Sequence, residues 1–600
     1  MRLQNLVFPK ENSCQETELY IHAKEGGLSA EEDRYVLAAG CQVDFLTYFN
    51  SFSAPKWQKY TDVDEVALVL SCQGNCEISL WEAVYEEGHI ARRCLHKEKQ
   101  EIREDFAEEP GGCRLTFSCS DVKGIVFAAV TAETDTVLSG GFFETDSAVR
   151  KNPVELAIGI CTYRREQFVM KTLDTLKACF LKNARSPLQG HVRVYVSDNG
   201  QTLPAEELSD ETIRVMKNKN AGGAGGFGRC MLEAVKDRDR FSLTHILLMD
   251  DDIVLEPESL FRTFMLLTVL RPEYAGSVIG GGLLRLDLPF IQHANGETWN
   301  GGTIGFTKRG YDLRAREDVL RNEEEKPVEY NGWWYCCLPL KENFKGMPLP
   351  IFIHRDDIEY GLRFDGRILT LNGVGVWHDA FEHRKASPME YYDLRNALIT
   401  CALHNPELSC LHMIRWMWRH LLGQMLRFRT EDQLLTLRGV RDFCRGVRFL
   451  KETDPCELHG ELMKMGYAMR DVSGDLEQLG IDPAEAKPSP EHVYEKTGFS
   501  KKHLLSVNGW LLPGYKAVKA MPMGDHPDAL YRCKRVLLYD PDTRKGFTVT
   551  RKRRDLFVTF WRMMKTACLL VRQYKKAVRD FQEHGVELTS EQFWETYLRE

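Results

Sequence analysis

The sequence predicts an α/β protein whose central sheet follows a β-rich region and precedes a helical region. Three observations support this prediction: short strands fill residues 1–150, strands alternate with helices in 151–400, and helical periodicity dominates in 401–600. A chain of 600 residues exceeds what one hydrophobic core usually serves, so we expect these stretches to be three domains.

The first stretch is expected to form an antiparallel sandwich or barrel. Segments rich in β-branched and aromatic residues, separated by Gly, Asn and Asp, occupy 65–72, 76–84, 114–120 and 124–132. Helical periodicity is weak between them. The role of this domain is open between sugar binding and structural support or assembly.

The middle stretch has the pattern of a largely parallel sheet. Strands are predicted at 154–163, 191–200, 211–218 and 244–252, with helices at 166–180 and 229–237. Ligands of such sheets bind beyond the carboxyl ends of the strands. Polar residues follow three of these strands, at 162–165, 198–200 and 250–252, so we expect the three strand ends to form one site.

Asp250, Asp251 and Asp252 come directly after an apolar strand. Successive strand residues face opposite sides, so Asp250 and Asp252 should share a direction while Asp251 points away. Two adjacent carboxylates repel unless a cation neutralises them, and Mg²⁺ or Mn²⁺ takes oxygen ligands and bridges to phosphate. The alternative is a cluster that caps a helix after Pro257. Three acids running straight off an apolar strand favour the metal site.

A second acidic pair, Asp356 and Asp357, precedes an amphipathic stretch. One of the two can act as a general base toward a hydroxyl group, and helix capping is compatible with that role. A strand is predicted over 371–381, and it presents His378 near its end. A single histidine is usually structural, but here a neutral imidazole would complete an Asp/Asp/His metal site.

The glycine-rich segment 218–229 is predicted to be a bend, and it contains G-x-G-x-x-G at Gly223, Gly225 and Gly228. This motif raises a rival hypothesis, a dinucleotide-binding oxidoreductase. In that fold the motif follows the first strand, whereas at least two predicted strands precede it here. We favour a loop beside a nucleotide, with tight helix packing as the alternative.

Composition bounds partners and location. The formal net charge of −8 argues against a nucleic-acid partner. The first residues lack the apolar stretch of a secretory signal and no run of about eighteen apolar residues occurs, so we expect a cytoplasmic protein without a membrane span. The helix predicted at 556–578 follows the basic cluster 551–554. It could bind the inner face of an anionic plasma membrane peripherally, and a helix packed on the protein is the commoner alternative.

The motifs CTYRR, SDNG, NAGGAGGFGR, MDDD, YNGWWYC, FIHRDDIEYGLR and WHDAF occur in this order. The ordered set resembles the inverting, GT-A-fold glycosyltransferases of family 2, in particular bacterial galactofuranosyltransferases that polymerise galactan. The resemblance is close over 150–400 and looser over the β-rich and helical regions, which those enzymes also possess. It implies UDP-galactofuranose as sugar donor, Mn²⁺ or Mg²⁺ as cofactor, and a glycan or lipid-linked glycan as acceptor in cell-wall or other polysaccharide synthesis.

Three alternatives stay open: a related transferase of another sugar such as rhamnose, an NAD-type oxidoreductase, and a catalytically silent carbohydrate-binding assembly protein. The oligomeric state, a homo-oligomer included, is also open.

The resemblance implies roles for individual residues. Asp250, Asp252 and His378 match metal ligands, and Asp357 matches the catalytic base. The candidates on the side of the sugar donor are Thr162, Arg165, Asp198, Asn220, Gly222, Gly223 and Asp251, and those on the acceptor side are Trp333, Trp334, Asp356 and Glu297. Indole faces stack on the C–H faces of sugars, and a buried core pair is the alternative for the tryptophans.

Two positions depart from the family pattern. Arg355 stands where the relatives carry an aromatic residue, and residues 163–165 replace a more Asn-like loop. Because these positions lie on the acceptor and donor sides, the reaction type is better supported than the identity of the sugar.

Overall fold

The structure, a computed structural model, describes residues 1–599 except 25, 32, 101–111, 147–148, 380–386, 484–492, 495–499, 516–517 and 524–526. Residues 380 and 381, the end of the strand predicted at 371–381, therefore lie outside the described residues.

The N-terminal region contains two antiparallel sheets around one core, as predicted. In spatial order the first sheet comprises Leu28–Ala30, Tyr35–Leu37, Thr136–Glu144, Glu65–Gln73 and Gly112–Ser118, with Arg2–Asn5 beside Thr136–Glu144. The second comprises His22–Ala23, Gln42–Asp44, Ile125–Ala132, Cys76–Glu86 and His89–Gln100. Phe52 links the two, because its ring stacks on Phe143 of the first sheet while its backbone bridges to Val126 of the second.

Within the described residues, the central sheet has nine strands. The helices in the connections between them are Glu166–Leu176, Ala205–Leu208, Gly222–Phe241, Pro257–Val269, Arg316–Glu323 and Asp356–Leu362. Its strands are, in spatial order, Ile213–Lys217, Val192–Asp198, Leu156–Thr162, His245–Asp250, Cys336–Pro339, Val278–Arg285, Ile368–His378 and Val254–Leu255, with Gln292–Ala294 beside Val278–Arg285. The first four strands are mutually parallel, as predicted.

The rest of this sheet is mixed, so the prediction of a largely parallel sheet holds for only part of it. Cys336–Pro339 runs antiparallel to both of its neighbours, and Val254–Leu255 runs antiparallel to Ile368–His378. Short apolar strands that are far apart in the chain carry no local signal of their direction in the sheet. The antiparallel strands of this half were therefore not predicted from the sequence.

Arg262 ties the N-terminal region to the central sheet. Its side chain is 2% exposed and lies in helix Pro257–Val269. Arg262 pairs with Glu258 at 3.0 Å and donates to the carbonyl oxygens of Phe49, in the N-terminal region, and of Asn372, in the strand that ends at His378. A buried guanidinium with this many acceptors fixes the relative position of the parts that it joins.

The C-terminal region is mainly helical, as predicted. Its helices are Met389–His404, Cys410–Leu426, Asp432–Phe443, Val447–Glu452, Pro455–Leu462, Ser473–Gln478, Lys501–Leu505, Arg554–His584 and Glu591–Tyr597. None of the helices within the described residues is long and apolar enough to cross a bilayer.

A four-stranded sheet also lies in the C-terminal region, and the sequence analysis missed it. Its strands are, in spatial order, Arg470–Asp471, Lys545–Thr550, Arg535–Tyr539 and Val518–Pro522. The hairpin between Arg535–Tyr539 and Lys545–Thr550 turns at an Asp-Pro-Asp sequence, a signal that could have predicted it.

Candidate active site

The acidic triplet lies at the carboxyl edge of the parallel half of the sheet. The strand His245–Asp250 is in register with Leu156–Thr162, so Cys161 lies opposite Asp250. The chain then turns, and Thr162 donates a hydrogen bond of 2.7 Å to Asp251. This bond holds Asp251 against the neighbouring strand, while Asp251 and Asp252 both contact Arg165, so Asp251 does not point away from the group as predicted.

His378 lies beside these acids, at the end of the strand Ile368–His378. Its Nε2 is 3.1 Å from Asp252 Oδ1, and its Nδ1 is 2.7 Å from the carbonyl oxygen of Asp379. One potential ligand atom each from Asp250, Asp252 and His378 all lie within 4.8 Å of one another. Two carboxylates and an imidazole are a set of ligands that suits Mn²⁺ or Mg²⁺. The bond from the second imidazole nitrogen to a carbonyl oxygen fixes the orientation of the ring.

The charges around this group favour an added cation. Arg165 Nη1 lies 3.1 Å from Asp251 and 2.6 Å from Asp252. Burial, with the neighbouring carboxylates, raises the pKa of Asp250 to about 7. Burial opposes the charge of His378, yet its contacts with Asp252 and Asp250 raise its pKa overall. Among the described residues, three carboxylates therefore face one guanidinium and one imidazole at this site.

The second acidic pair opens helix Asp356–Leu362, and an unusual backbone delivers it. Phe352, His354 and Arg355 adopt positive φ angles of 75°, 63° and 68°, which are strained for residues with large side chains. The Asn396 side chain offsets this strain because it donates to the carbonyl oxygens of Ile351, Ile353 and His354. The acids at the start of the helix are thus held by the helix Met389–His404, which contributes Asn396.

Both carboxyl groups of the pair are perturbed. Burial, with the charge of Asp357, raises the pKa of Asp356 to about 7, and burial also raises the pKa of Asp357. Asp357 Oδ1 accepts the backbone N–H of Ile358 at 2.8 Å. A buried carboxylate with a raised pKa is suited to accept a proton near neutral pH.

A cavity of about 1170 Å³ joins the two acidic groups. It is lined by eleven of the predicted site residues, namely Arg165, Gly223, Asp250, Asp251, Asp252, Glu297, Trp333, Trp334, Asp356, Asp357 and His378. Burial raises the pKa of Glu297 to about 8, and the charge of Asp357 contributes to this shift, so these two acids are electrostatic neighbours.

The two tryptophans are partly core residues and partly cavity wall. Trp333 is 5% exposed and meets Phe227 and Tyr360 edge to face, with ring centroids 5.3 and 5.9 Å away. Trp334 is 8% exposed and donates its indole N–H to the carbonyl of Gly281 at 3.0 Å. The indoles are fixed in place by packing while one part of each faces the cavity.

Four predicted residues do not line the cavity: Thr162, Asp198, Asn220 and Gly222. The Asp198 carboxylate accepts the backbone N–H groups of Gly200 and Leu203, at 3.0 and 2.8 Å. Asn220 accepts the N–H of Gly222 at 3.2 Å. In the structure these side chains shape the loops that follow their strands.

The glycine-rich segment is helical from Gly222 onward, so the predicted bend is wrong for residues 222–229, and the helix predicted at 229–237 begins at Gly222. A Cβ atom at Gly226 would lie 2.0 Å from Cys161 Sγ, and one at Gly228 would lie 2.5 Å from the Trp594 ring. At Gly223 the nearest atom would be Asp356 Oδ2 at 3.6 Å. Glycine is therefore required for close packing at Gly226 and Gly228, whereas Gly223 faces the cavity.

The C-terminal region completes the cavity with residues that the sequence analysis did not assign. Helix Cys410–Leu426 and the turn after it contribute Trp416, Arg419, His420, Gly423, Gln424, Arg427 and Arg429. All but the last recur at the three- and four-residue spacing of one helix face, a pattern that could have marked a polar surface on an otherwise apolar helix.

The fold and the site together define an α/β enzyme whose buried carboxylates, indoles and arginines line one cavity at the carboxyl edge of its sheet. Residues 3–146 match the family described as "Galactofuranosyltransferase 2 N-terminal". Galactofuranosyltransferase GlfT2 of Mycobacterium tuberculosis is 26% identical over an alignment of 623 positions, and the alignment covers 94% of this chain and 91% of that protein. Galactofuranosyltransferase GlfT2 of Mycolicibacterium smegmatis is 29% identical over an alignment of 394 positions, and the alignment covers 60% of this chain and 58% of that protein.

The chain is therefore a glycosyltransferase that resembles galactofuranosyltransferases, which confirms the resemblance seen in the motifs. Among solved structures, the CBM22-1 and GH10 modules of Clostridium thermocellum xylanase 10B match with a TM-score of 0.16 and 8% identity, covering 34% of this chain and 39% of that chain. A similarity this low supports no conclusion about the fold.

Proposed function

We propose that this chain is an inverting, metal-dependent galactofuranosyltransferase that transfers galactofuranose from UDP-galactofuranose to a growing glycan. The observation that carries the proposal is the single cavity, which holds a possible metal-ligand trio at one end and a buried acidic pair at a helix start at the other. We assign the central region to the GT-A type of nucleotide-sugar-binding fold, since the acidic triplet follows the carboxyl end of one of its four parallel strands.

Asp250, Asp252 and His378 would hold Mn²⁺ or Mg²⁺. When bound, the cation supplies positive charge that makes the diphosphate a better leaving group. Arg165 orients two of the acids from the side of the nucleotide, and Asp251, held by Thr162, keeps Arg165 in place. Gly223 leaves the cavity open where a larger side chain would intrude.

Asp357 is the proposed general base. The acceptor hydroxyl loses its proton to the Asp357 carboxylate as its oxygen bonds to the anomeric carbon, and the bond from that carbon to the diphosphate oxygen breaks. A single displacement of this kind inverts the anomeric centre and needs no enzyme nucleophile. Trp333 and Trp334 offer rigid faces for the acceptor sugar, with Glu297 beside Asp357.

For Asp356, which the resemblance predicts as an acceptor contact, we propose a further role. Its Oδ2 is the atom nearest to the position that a Gly223 side chain would occupy, which puts it beside the glycine-rich helix on the side of the sugar donor. We therefore propose that Asp356 helps to separate the two substrates while Asp357 reacts.

The oxidoreductase alternative is weakened by the position of its motif. The helix Gly222–Phe241, which contains Gly223, Gly225 and Gly228, follows the third strand of the central sheet in chain order, whereas in a dinucleotide-binding fold it follows the first. The complete set of acids disfavours a catalytically silent binding protein. A transferase of another sugar, such as rhamnose, shares every step above and stays the nearest alternative.

A panel of UDP- and dTDP-sugars tests the proposal. With purified protein, an acceptor glycan and Mn²⁺ or Mg²⁺, UDP should be released from UDP-galactofuranose, and chelation by EDTA should stop the release. Release of dTDP from a rhamnosyl donor would support the other sugar. Binding of NAD without nucleotide release from any sugar would reject transfer altogether.

We also propose that the enzyme works in the cytoplasm as a peripheral protein on an anionic membrane surface. Helix Arg554–His584 exposes Phe557, Trp561 and Val571 at 73%, 63% and 70%, next to the basic residues 551–554. Apolar side chains beside basic ones are the pattern of interfacial helices. Sedimentation with vesicles that contain anionic lipid should retain the protein, and Trp561→Glu should weaken this binding.

A further inference from the structure

The cavity has a cationic side that the proposed transfer chemistry does not use. Arg419, His420, Arg427 and Arg429 reach it from helix Cys410–Leu426 and the turn that follows, and Arg355 joins them from the residue before the Asp357 helix. We refer to these five residues as the cationic wall.

The carboxylates on this side already have partners. Glu390 accepts hydrogen bonds from His420 Nε2 at 3.0 Å and from Gln424 Nε2 at 2.9 Å. Asp393 lies 3.3 Å from both Arg355 Nη2 and His354 Nδ1. The carboxylates of Glu390 and Asp393 are therefore already bonded to neighbouring side chains.

Arg419 and Arg427 lack a carboxylate partner among the described residues. Among the described residues, no carboxylate oxygen lies within 4.0 Å of either guanidinium, and the hydrogen bond that Arg427 donates is one of 3.4 Å to the Gly423 carbonyl in its own helix. Arg429, 5% exposed, pairs through Nε with Asp432, and within the described part of the chain its Nη2 atom has no hydrogen-bond partner. Burial lowers the pKa of Arg427, so its charge is held there at a cost in free energy. A partly buried guanidinium without a carboxylate partner, such as that of Arg427, favours an anionic ligand, and the exposed Arg419 adds positive charge at the mouth of the same cavity.

One member of the wall adjoins the proposed base, because Arg355 immediately precedes the helix that opens with Asp356 and Asp357. The other members line the same cavity as Asp357. The acceptor, which must present its hydroxyl to Asp357, therefore passes close to Arg355.

We propose that the cationic wall binds an anionic group of the acceptor glycan, a phosphodiester or a carboxylate within one or two sugars of the reacting hydroxyl. This inference rests on the proposed transferase function. Trp416 stands on the same helix face, one turn from His420, and packs against the loop at Gly302, where it gives the sugar that carries the charge an aromatic surface.

The test compares three acceptors in the full-length enzyme: a neutral galactofuranosyl disaccharide glycoside, the same disaccharide with a phosphodiester in its aglycone, and the same disaccharide with a carboxylate there. We expect kcat/KM for one charged acceptor to exceed that for the neutral one by about 10- to 100-fold, the size of one or two charge-assisted hydrogen bonds. Whichever charged acceptor shows the larger preference identifies the group. In Arg419→Gln and Arg427→Gln this preference should fall toward one.

Arg415→Gln is the matched control, because Arg415 is exposed on the same helix and does not line the cavity. It should keep the preference of the wild-type enzyme. Arg419 is exposed, so its variant tests the inference even if Arg427→Gln fails to fold.

Three outcomes would overturn the inference. Equal kcat/KM for all three acceptors would show that no anion is recognised. A raised KM for UDP-galactofuranose in the Arg419 and Arg427 variants, with the acceptor preference unchanged, would assign the wall to the sugar donor. The absence of UDP release with every acceptor would instead reject the proposed function, and the inference with it.

Discussion

Substitution of Gly226 by alanine separates the packing role of the glycine-rich helix from a role in binding. A Cβ atom there would lie 2.0 Å from Cys161 Sγ and 2.8 Å from Cys161 Cβ, inside a buried contact between the helix and a central strand. The matched substitution is Gly223→Ala, where the nearest atom is Asp356 Oδ2 at 3.6 Å.

The two substitutions should change the free energy of unfolding in opposite directions. Alanine is favoured over glycine in a helix by about 1 kcal/mol. At Gly226 overpacking of a filled core outweighs that gain and costs about 1–3 kcal/mol or more, because both colliding atoms belong to a strand that cannot move freely. Cys161 lies opposite Asp250 in the sheet, so the displacement should also reach the acidic triplet. At Gly223 no collision opposes the gain, so stability should be kept or should rise slightly.

Thermal unfolding and donor kinetics measure these effects. Gly226→Ala should lower Tm and reduce kcat. Gly223→Ala should keep Tm while it raises KM for the sugar donor, since the methyl group enters the cavity. The double variant Gly226→Ala/Cys161→Ala, which removes the closest colliding atom, should recover part of the lost Tm. An unchanged Tm in Gly226→Ala together with a raised donor KM would refute the packing explanation.

Three other predictions concern the acids and the histidine. Asp357→Asn should lower kcat by about 10²–10⁴-fold while UDP binding in the presence of Mn²⁺ stays intact; loss of that binding would reassign the residue. His378→Ala should weaken Mn²⁺ binding, measured by calorimetry, by about 10-fold or more, and an unchanged affinity would contradict the proposed trio. Burial opposes the charge of Glu359, but Arg363 and His404 lower its pKa from 4.5 to about 2. The folded state then binds fewer protons than the unfolded state between these values, so stability should fall as pH decreases from about 4.5 to about 2. Denaturant titrations of wild type and Glu359→Gln should show a shallower acid dependence in the variant, and parallel curves would exclude this pair as a cause.

The local features of the fold were predictable because each is written in a short segment. The four parallel strands and the helices after them follow from apolar runs and helical spacing, and the strands found in the N-terminal region include all four that were predicted. The triplet Asp250–Asp252 and the pair Asp356–Asp357 stood out because acids rarely end apolar strands or precede helices in such numbers. The order of the motifs then added the likeness to glycosyltransferases.

Other features could not be read in this way. The glycine-rich segment is helical from Gly222 onward, and its glycines at 226 and 228 are needed because Cys161 and Trp594, distant in the chain, approach its backbone too closely for a side chain. The directions of Cys336–Pro339 and Val254–Leu255 depend on which strands become their neighbours. The cationic wall arises because the helix Cys410–Leu426 packs so that one of its faces lines the same cavity as the acids of the central region.

The sequence by itself determined the α/β class, the β-rich and helical flanks, the residues at the strand ends and the type of reaction that they suggest. Only the tertiary structure decided that His378 lies 3.1 Å from Asp252, that Asp198 and Asn220 support their own loops, and that the C-terminal helices close the cavity with arginines. The physical reason is that periodicity and capping act between residues a few positions apart, whereas a cavity forms where packing brings together side chains that have no local influence on one another.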